Sequence, residues 1–367
     1  MDNLFAIAGQ FSPQGRVTDV REFGNGNINN TFLVTLDAGD AGGNRFILQR
    51  INTQVFQQPE LIMLNMRTST GHMRYRLELA PLSGGRRWEV PGVIITQNGR
   101  DHLLGSDGSF WRAISFIDGS QSFETIRDVH HATEVGYALG VFHTLLSDLH
   151  PGRLHDTLEG FHVTPRYLRH YEEVLAKHKD EKSPEVKSCL RFVKERSARA
   201  DVLEKSRSQG RLHLRVIHGD PKVNNIMIDT ATMQAISIVD LDTVKPGLVH
   251  YDIGDCLRSG CNPLGEETED WEEVYFEPDL CRAILQGYLH MAKEFLTSDD
   301  FVYIYDSGRL ISFELGLRFF TDYLEGNLYF RARHKEHNLV RALAQFRLTE
   351  SIESQEMAIR SIVSEAV

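Results

Sequence analysis

The sequence predicts an α+β chain of two lobes, a small antiparallel-sheet lobe with one main helix followed by a larger, mostly helical lobe. Three observations carry that expectation. Short extended runs separated by glycine-containing turns fill the first third of the chain. Long runs with apolar residues at helical spacing fill the rest. The two short apolar runs that interrupt those helices each deliver a polar cluster at their carboxyl end.

Taken in order, strands are expected over 17–23, 31–37, 45–51, 92–96 and 110–117. Between the third and fourth, Pro59 opens a stretch over 60–79 whose leucines and methionines recur at helical spacing, so one helix packs on the sheet. Phe116-Ile117-Asp118-Gly119 closes the last strand with a turn, which sets the division at 1–119 for the sheet lobe and 120–367 for the helical lobe. Amphipathic helices are expected over 132–149, 184–205, 279–296 and 310–324, with one or two more over 337–367. The interrupting strands are 214–217 and 235–239, and 177–184 is a polar loop.

Composition narrows the function classes. The 367 residues are 41% hydrophobic and 25% charged, an ordinary globular balance that suits two compact units. A net charge of -11 argues against nucleic acid as a partner, because phosphate backbones need a dense basic surface. The four cysteines form no paired ligand pattern and read as reduced thiols of a cytoplasmic protein. The start of the chain shows no basic region followed by an apolar core, and no stretch is long and apolar enough to span a membrane. No protein partner is implied.

The strongest signal is His218-Gly219-Asp220-Pro221-Lys222-Val223-Asn224-Asn225, followed by Ile238-Val239-Asp240-Leu241-Asp242. A single HxD or DxD is common, and aspartates at strand ends often only cap loops. Two such clusters in this order, each behind an apolar strand, are how a protein-kinase-like two-lobed fold assembles a phosphoryl-transfer site. Asp220 is the candidate catalytic base, accepting a hydrogen bond from an acceptor hydroxyl and taking its proton late in the transfer. Lys222 neutralises charge on the transferring group. Asn225 and Asp240 offer hard oxygen ligands to Mg2+ bridging the phosphates of ATP, with Asp242 assisting.

Gly24-Asn25-Gly26-Asn27-Ile28-Asn29-Asn30 lies between the first two strands, where a nucleotide-covering hairpin belongs. In isolation it is an ordinary turn sequence; its position ahead of the catalytic cluster makes Gly24, Asn25, Gly26, Asn27 and Asn29 candidates for the ATP phosphates. No Walker pattern is present. The third strand carries Gln49 and Arg50 where kinases keep a phosphate-binding lysine. Arg50 is the candidate substitute, and because strand residues alternate faces, either Gln49 or Arg50 looks into the cleft.

Through His218-Gly219-Asp220 with Asn225, then Asp240 and Tyr251-Asp252-Ile253-Gly254-Asp255, the chain resembles the aminoglycoside phosphotransferase and choline kinase superfamily. It is similar, more narrowly, to N-acetylhexosamine 1-kinases through Ile47-Leu48-Gln49-Arg50-Ile51-Asn52-Thr53, Asp240-Leu241-Asp242-Thr243, Asp322-Tyr323-Leu324-Glu325-Gly326 and His337-Asn338-Leu339-Val340-Arg341. That resemblance implies ATP- and Mg2+-dependent phosphorylation of the anomeric hydroxyl of N-acetylglucosamine or N-acetylgalactosamine. It also implies Thr243, Arg318 and Tyr329 as sugar contacts. Asn27 is a departure, standing where a relative carries histidine that touches the sugar; an asparagine there still hydrogen-bonds but cannot become cationic. The alternatives are another small alcohol acceptor (a different sugar, a choline-like amino alcohol, an aminoglycoside) and a nucleotide-binding pseudoenzyme, for which the missing strand lysine is the one supporting feature.

Overall fold

The computed structural model describes residues 2–12, 15–24, 28–37, 45–177 and 183–366. Helix α1 (Asp2–Gln10) precedes strands β1 (Arg16–Glu22), β2 (Asn30–Asp37) and β3 (Arg45–Ile51), then α2 (Pro59–Leu79), β4 (Val93–Ile94), β5 (Leu103–Leu104) and β6 (Phe110–Ser115). These strands form one antiparallel sheet in the order β1-β2-β3-β6-β4, with β5 also on β6. Period-two alternation gives the sheet two faces. Phe46, Leu48, Trp111 and Ala113 point outward into a cluster closed by Ile7, Ala8 and Phe11 of α1 and the turn after it. Helix α1 was not foreseen. Ile51 and Phe110 point inward against Ile62 and Met63 of α2, and Gln49 and Arg112 share that inner face.

The larger lobe holds α3 (Val129–Leu146), α4 (Thr164–Lys177), α5 (Pro184–Arg196), α6 (Val202–Ser208), α7 (Val249–Gly260), α8 (Pro278–Ala292), α9 (Ser298–Val302), α10 (Ile304–Glu325), α11 (His337–Ser354) and α12 (Glu356–Ala366). Between the lobes' helices run β7 (Ser120–Gln121), β8 (Arg215–Ile217), β9 (Ile226–Asp229), β10 (Ala235–Ile238) and β11 (Lys245–Gly247), paired β10-β9-β7 and β11-β8. This is the two-lobed α+β architecture expected. The expected helix over 184–205 is divided, because the chain turns through a short 3-10 segment, Ser197–Arg199, before α6 begins.

Helices α3 and α8 lie close enough for backbone contact, and glycines permit it. A Cβ on Gly136 would sit 1.9 Å from the Ile284 carbonyl oxygen, and one on Gly287 would sit 2.0 Å from that of Thr133. Asp128 starts α3 by accepting the backbone N–H of His131 at 2.8 Å. Asn65 of α2 joins the lobes: its Nδ2 donates to the carbonyls of His155 (2.8 Å) and Val244 (3.0 Å), and its Oδ1 accepts from the backbone of His155 (2.8 Å). One buried amide therefore holds the sheet lobe's helix against the segment that follows Asp242. Among the described residues no helix is long and apolar enough to cross a membrane.

Candidate active site

Strand β8 is three residues of a buried ladder and delivers His218-Gly219-Asp220 at its end. Gly219 adopts φ +88°, and a Cβ there would lie 2.8 Å from the carbonyl oxygen of Thr243, so backbone conformation and space both demand glycine. Asp252, near the start of α7, accepts the backbone N–H groups of His218 (2.6 Å) and Gly219 (2.8 Å). His143 Nε2 faces the same carboxylate at 2.8 Å, and its Nδ1 faces the Tyr288 hydroxyl at 3.0 Å. Burial alone would raise the pKa of Asp252; the hydrogen bond and charge of His143, with the backbone donors, hold it below the usual carboxylate range. On the other side, His162 Nε2 lies 2.7 Å from the Gly219 carbonyl oxygen. The loop after β8 is thus gripped by both its donors and its acceptor.

Asp220 emerges half-buried from that grip. Lys222 Nζ stands 3.0 Å from its Oδ2, and this carboxylate is the main reason the lysine pKa is raised. Asn225 Nδ2 donates to the Asp220 carbonyl at 2.7 Å, which leaves the amide oxygen as the atom Asn225 has to offer a cation. The β9–β10 register sets Ile226 opposite Ile238, and the Val239 N–H donates to the Asn225 carbonyl at 2.9 Å, so the chain brings Asp240 beside Asn225. Asp240 adopts a left-handed backbone conformation, φ 63° and ψ 58°, unusual for a residue with a side chain and characteristic of functional turns. Desolvation within the cleft, then the charges of Asp242 and Asp220, raise its pKa, with Lys222 and Arg112 opposing. This excess of negative oxygen fits a hard divalent cation. Mg2+ takes one or two carboxylates and completes its shell from phosphates and water, a demand that Asp240 with the Asn225 amide oxygen fits.

Asp242 faces the sheet lobe. Its Oδ2 accepts from Asn29 Nδ2 at 2.6 Å, and the Asn29 Oδ1 in turn accepts the backbone N–H of Asn52 at 2.9 Å. Asp242 is also ion-paired with Arg112, a fully buried residue of β6. The Arg112 Nε and Nη2 donate to Gln49 Oε1 at 2.9 and 2.7 Å, and Gln49 Nε2 donates to Thr31 Oγ1 at 3.1 Å. Arg50 is exposed on the opposite face, 3.4 Å from Asp107, so the strand turns Gln49 and not Arg50 toward Asp242. Gly24 is exposed at φ +76°. Asn25, Gly26 and Asn27 lie outside the described residues.

A second cluster is built from α10 and two loops. Arg318 has its guanidinium carbon 5.0 Å from the Tyr167 ring centroid, 5.2 Å from Phe161, 5.3 Å from Phe330 and 5.9 Å from Tyr329. Among the described residues its guanidinium has no hydrogen-bond or ion-pair partner and meets these four rings instead. Burial lowers its pKa, but Tyr167, Tyr329, Glu314 and Asp220 outweigh this and keep it raised. Burial pushes the Tyr167 phenol up to about 12. Asp322, in the last turn of α10, accepts the backbone N–H groups of Tyr329 (2.7 Å) and Phe330 (3.0 Å) and Nδ2 of Asn338 (2.9 Å), fixing the wall of this aromatic box. Thr243 Oγ1 donates to the His218 carbonyl at 2.8 Å, so its hydroxyl is tied to the loop after β8.

Residues 19–284 match APH, the phosphotransferase enzyme family. The chain belongs to that phosphotransferase family. Its fold is shared by an aminoglycoside phosphotransferase from Alicyclobacillus acidocaldarius subsp. acidocaldarius (15% identity, TM-score 0.64, 98% of this chain and 96% of that one). A microcompartment-associated aminopropanol kinase aligns with 16% identity and a TM-score of 0.62 over 97% of this chain and 98% of that one. A spectinomycin phosphotransferase in complex with ADP and spectinomycin aligns with 11% identity and a TM-score of 0.53 over 94% of this chain and 94% of that one. At these identities the likeness is one of fold, the protein-kinase-like fold expected from the sequence. Within this phosphotransferase, sequence reasoning had not found Arg112, His162, Glu314, Phe161, Tyr167 or Phe330. Each reaches the site through tertiary contacts with no local motif to mark it.

Proposed function

We propose that this phosphotransferase uses ATP and Mg2+ to phosphorylate the anomeric hydroxyl of N-acetylglucosamine or N-acetylgalactosamine, giving the sugar 1-phosphate and ADP. The observation that carries the choice of acceptor is the aromatic box around Arg318. Aromatic cages hold substrate ammonium groups through their ring faces. Here the cage is filled by the protein's own cation, which repels a choline-like or polycationic acceptor and offers N–H donors to a neutral, oxygen-rich one. The residues that carry the narrower resemblance, Asp322 and Asn338, are the ones that fix Tyr329 and Phe330 in the wall of this box. Tyr329 is half-exposed and Thr243 retains acceptor capacity, so both suit directional sugar contacts.

In this reading Asp220 orients the acceptor hydroxyl and receives its proton as the sugar oxygen bonds to the γ-phosphorus and the bond to ADP breaks; the proton then passes to solvent. Lys222, paired with Asp220 before transfer, balances charge on the moving phosphoryl group. Asn225 and Asp240 would hold Mg2+, with Asp242 beside them, and the bound ion would supply positive charge to the phosphate oxygens. Residues 1–119 bind the nucleotide and 120–367 carry the catalytic loop and acceptor site, in a cytoplasmic protein. The product identifies the reaction: 31P NMR of a mixture with N-acetylglucosamine should show an anomeric phosphate. A phosphate ester at another hydroxyl, or none with either acetylated sugar, would refute the assignment.

A further inference from the structure

Kinase-type folds keep a lysine on the third strand to meet the nucleotide phosphates, and this chain has Gln49 there. The antiparallel register sets Gln49 directly opposite Arg112 on β6. Directly opposed residues in such a ladder have Cα atoms only about 4.5–5.5 Å apart and side chains on one face. We propose that Arg112 supplies the phosphate-facing cation that the third strand lacks, with Gln49 as its positioning residue and Asp242 as its counter-ion before nucleotide binds. The proposal rests on the ATP-dependent reading above and adds a residue that reading does not contain.

Four features support it. Arg112 is fully buried, yet its Nη1 has no hydrogen-bond partner, an unmade bond that a buried guanidinium keeps at a cost unless a ligand atom recovers it. Its Nε and Nη2 both donate to Gln49 Oε1, and the Gln49 amide is itself fixed by Thr31 Oγ1, so the fork is oriented rather than free to swing. Its ion-pair partner, Asp242, is two residues from Asp240, and the charge of Arg112 acts on Asp240 as well. Finally, the exchange is self-consistent: a lysine at 49 would remove the carbonyl that orients Arg112 and set two cations opposite one another. A planar guanidinium matches phosphate geometry, and its present carboxylate partner is already shared with Asn29.

The test is calorimetric binding of ATP, ADP and adenosine with Mg2+ and no acceptor. Arg112→Met should weaken ATP by about tenfold or more while adenosine stays within about twofold, since only charged hydrogen bonds are lost. Restoring the cation on the third strand, as Gln49→Lys combined with Arg112→Met, should recover most of the loss. Unchanged ATP affinity in Arg112→Met, or equal loss for ATP and adenosine, would overturn the proposal. If Arg112→Met does not fold, Gln49→Leu keeps the ion pair and removes the orientation; it should still weaken ATP selectively, and no selective loss defeats the proposal. A wild-type protein that binds no ATP defeats both this inference and the kinase reading. Arg112-dependent ATP binding without sugar turnover leaves Arg112 standing and removes only the acceptor.

Discussion

His162 and Glu314 are 152 residues apart in the chain and share a contact of 2.9 Å between Nδ1 and Oε1. Since His162 Nε2 holds the Gly219 carbonyl, and Glu314 stands one helical turn before Arg318 on α10, this pair ties the aromatic box around Arg318 to the loop that carries Asp220. Both imidazole nitrogens face acceptor oxygens, so the doubly protonated form is favoured.

That pair should give the protein a pH-dependent stability component. Burial alone would lower the His162 pKa, but the hydrogen bond and charge of Glu314 raise it above the ordinary value of 6.5. A raised folded-state pKa contributes stability that is complete below 6.5 and is lost as pH rises through the folded value. Glu314→Gln should therefore lower Tm most at acidic pH, with the gap to wild type narrowing as pH rises above 6.5. A gap that widens with pH would contradict the pairing.

Asp220→Asn keeps the shape of the loop and removes the base. We expect kcat to fall by roughly 10²–10⁴-fold with little change in ATP affinity or Tm. Steady-state kinetics alongside nucleotide titration checks this, and retained turnover would remove Asp220 from the chemistry.

Arg318→Gln should raise the sugar KM by about tenfold or more, the usual scale for losing hydrogen bonds from a charged donor, and leave the ATP KM unchanged. With the resident cation gone, the four rings should bind choline measurably by calorimetry. An unchanged sugar KM would move the acceptor site elsewhere.

Two glycines should respond to alanine in opposite directions. Gly136→Ala drives a methyl into the α8 backbone and should destabilise by about 1–3 kcal/mol. Gly71→Ala, at an exposed position of α2 with no atom within 4 Å, should stabilise by about 0.5–1 kcal/mol. Thermal or denaturant unfolding of both variants measures the contrast.

What the sequence made legible follows chain locality. His218 to Asn225 and Asp240 to Asp242 are contiguous, each riding on an apolar strand, so motif and fold could be read together. Arg112 was invisible because an arginine in Phe110-Trp111-Arg112-Ala113 looks like the solvent face of an alternating strand; only the β3–β6 register reveals the side it shares with Gln49. The same alternation left Gln49 and Arg50 undecided until the outer face was seen to be covered by α1. Arg318 came only from the resemblance, because its neighbours are aromatic rings drawn from 161–167 and 329–330, far from it in the chain. The break after Arg196 was hidden because the residues that follow keep helical character in a 3-10 turn.

The most direct test of the central claim is an ADP-release assay with ATP and Mg2+ across N-acetylglucosamine, N-acetylgalactosamine, glucose, galactose, choline and kanamycin, with Asp220→Asn as control. Release that is fastest on the acetylated sugars and disappears in the variant is the predicted result. Silence on those sugars with turnover of choline or kanamycin would contradict the reading of the Arg318 box, and ATP binding without turnover of any acceptor would contradict the enzyme assignment itself.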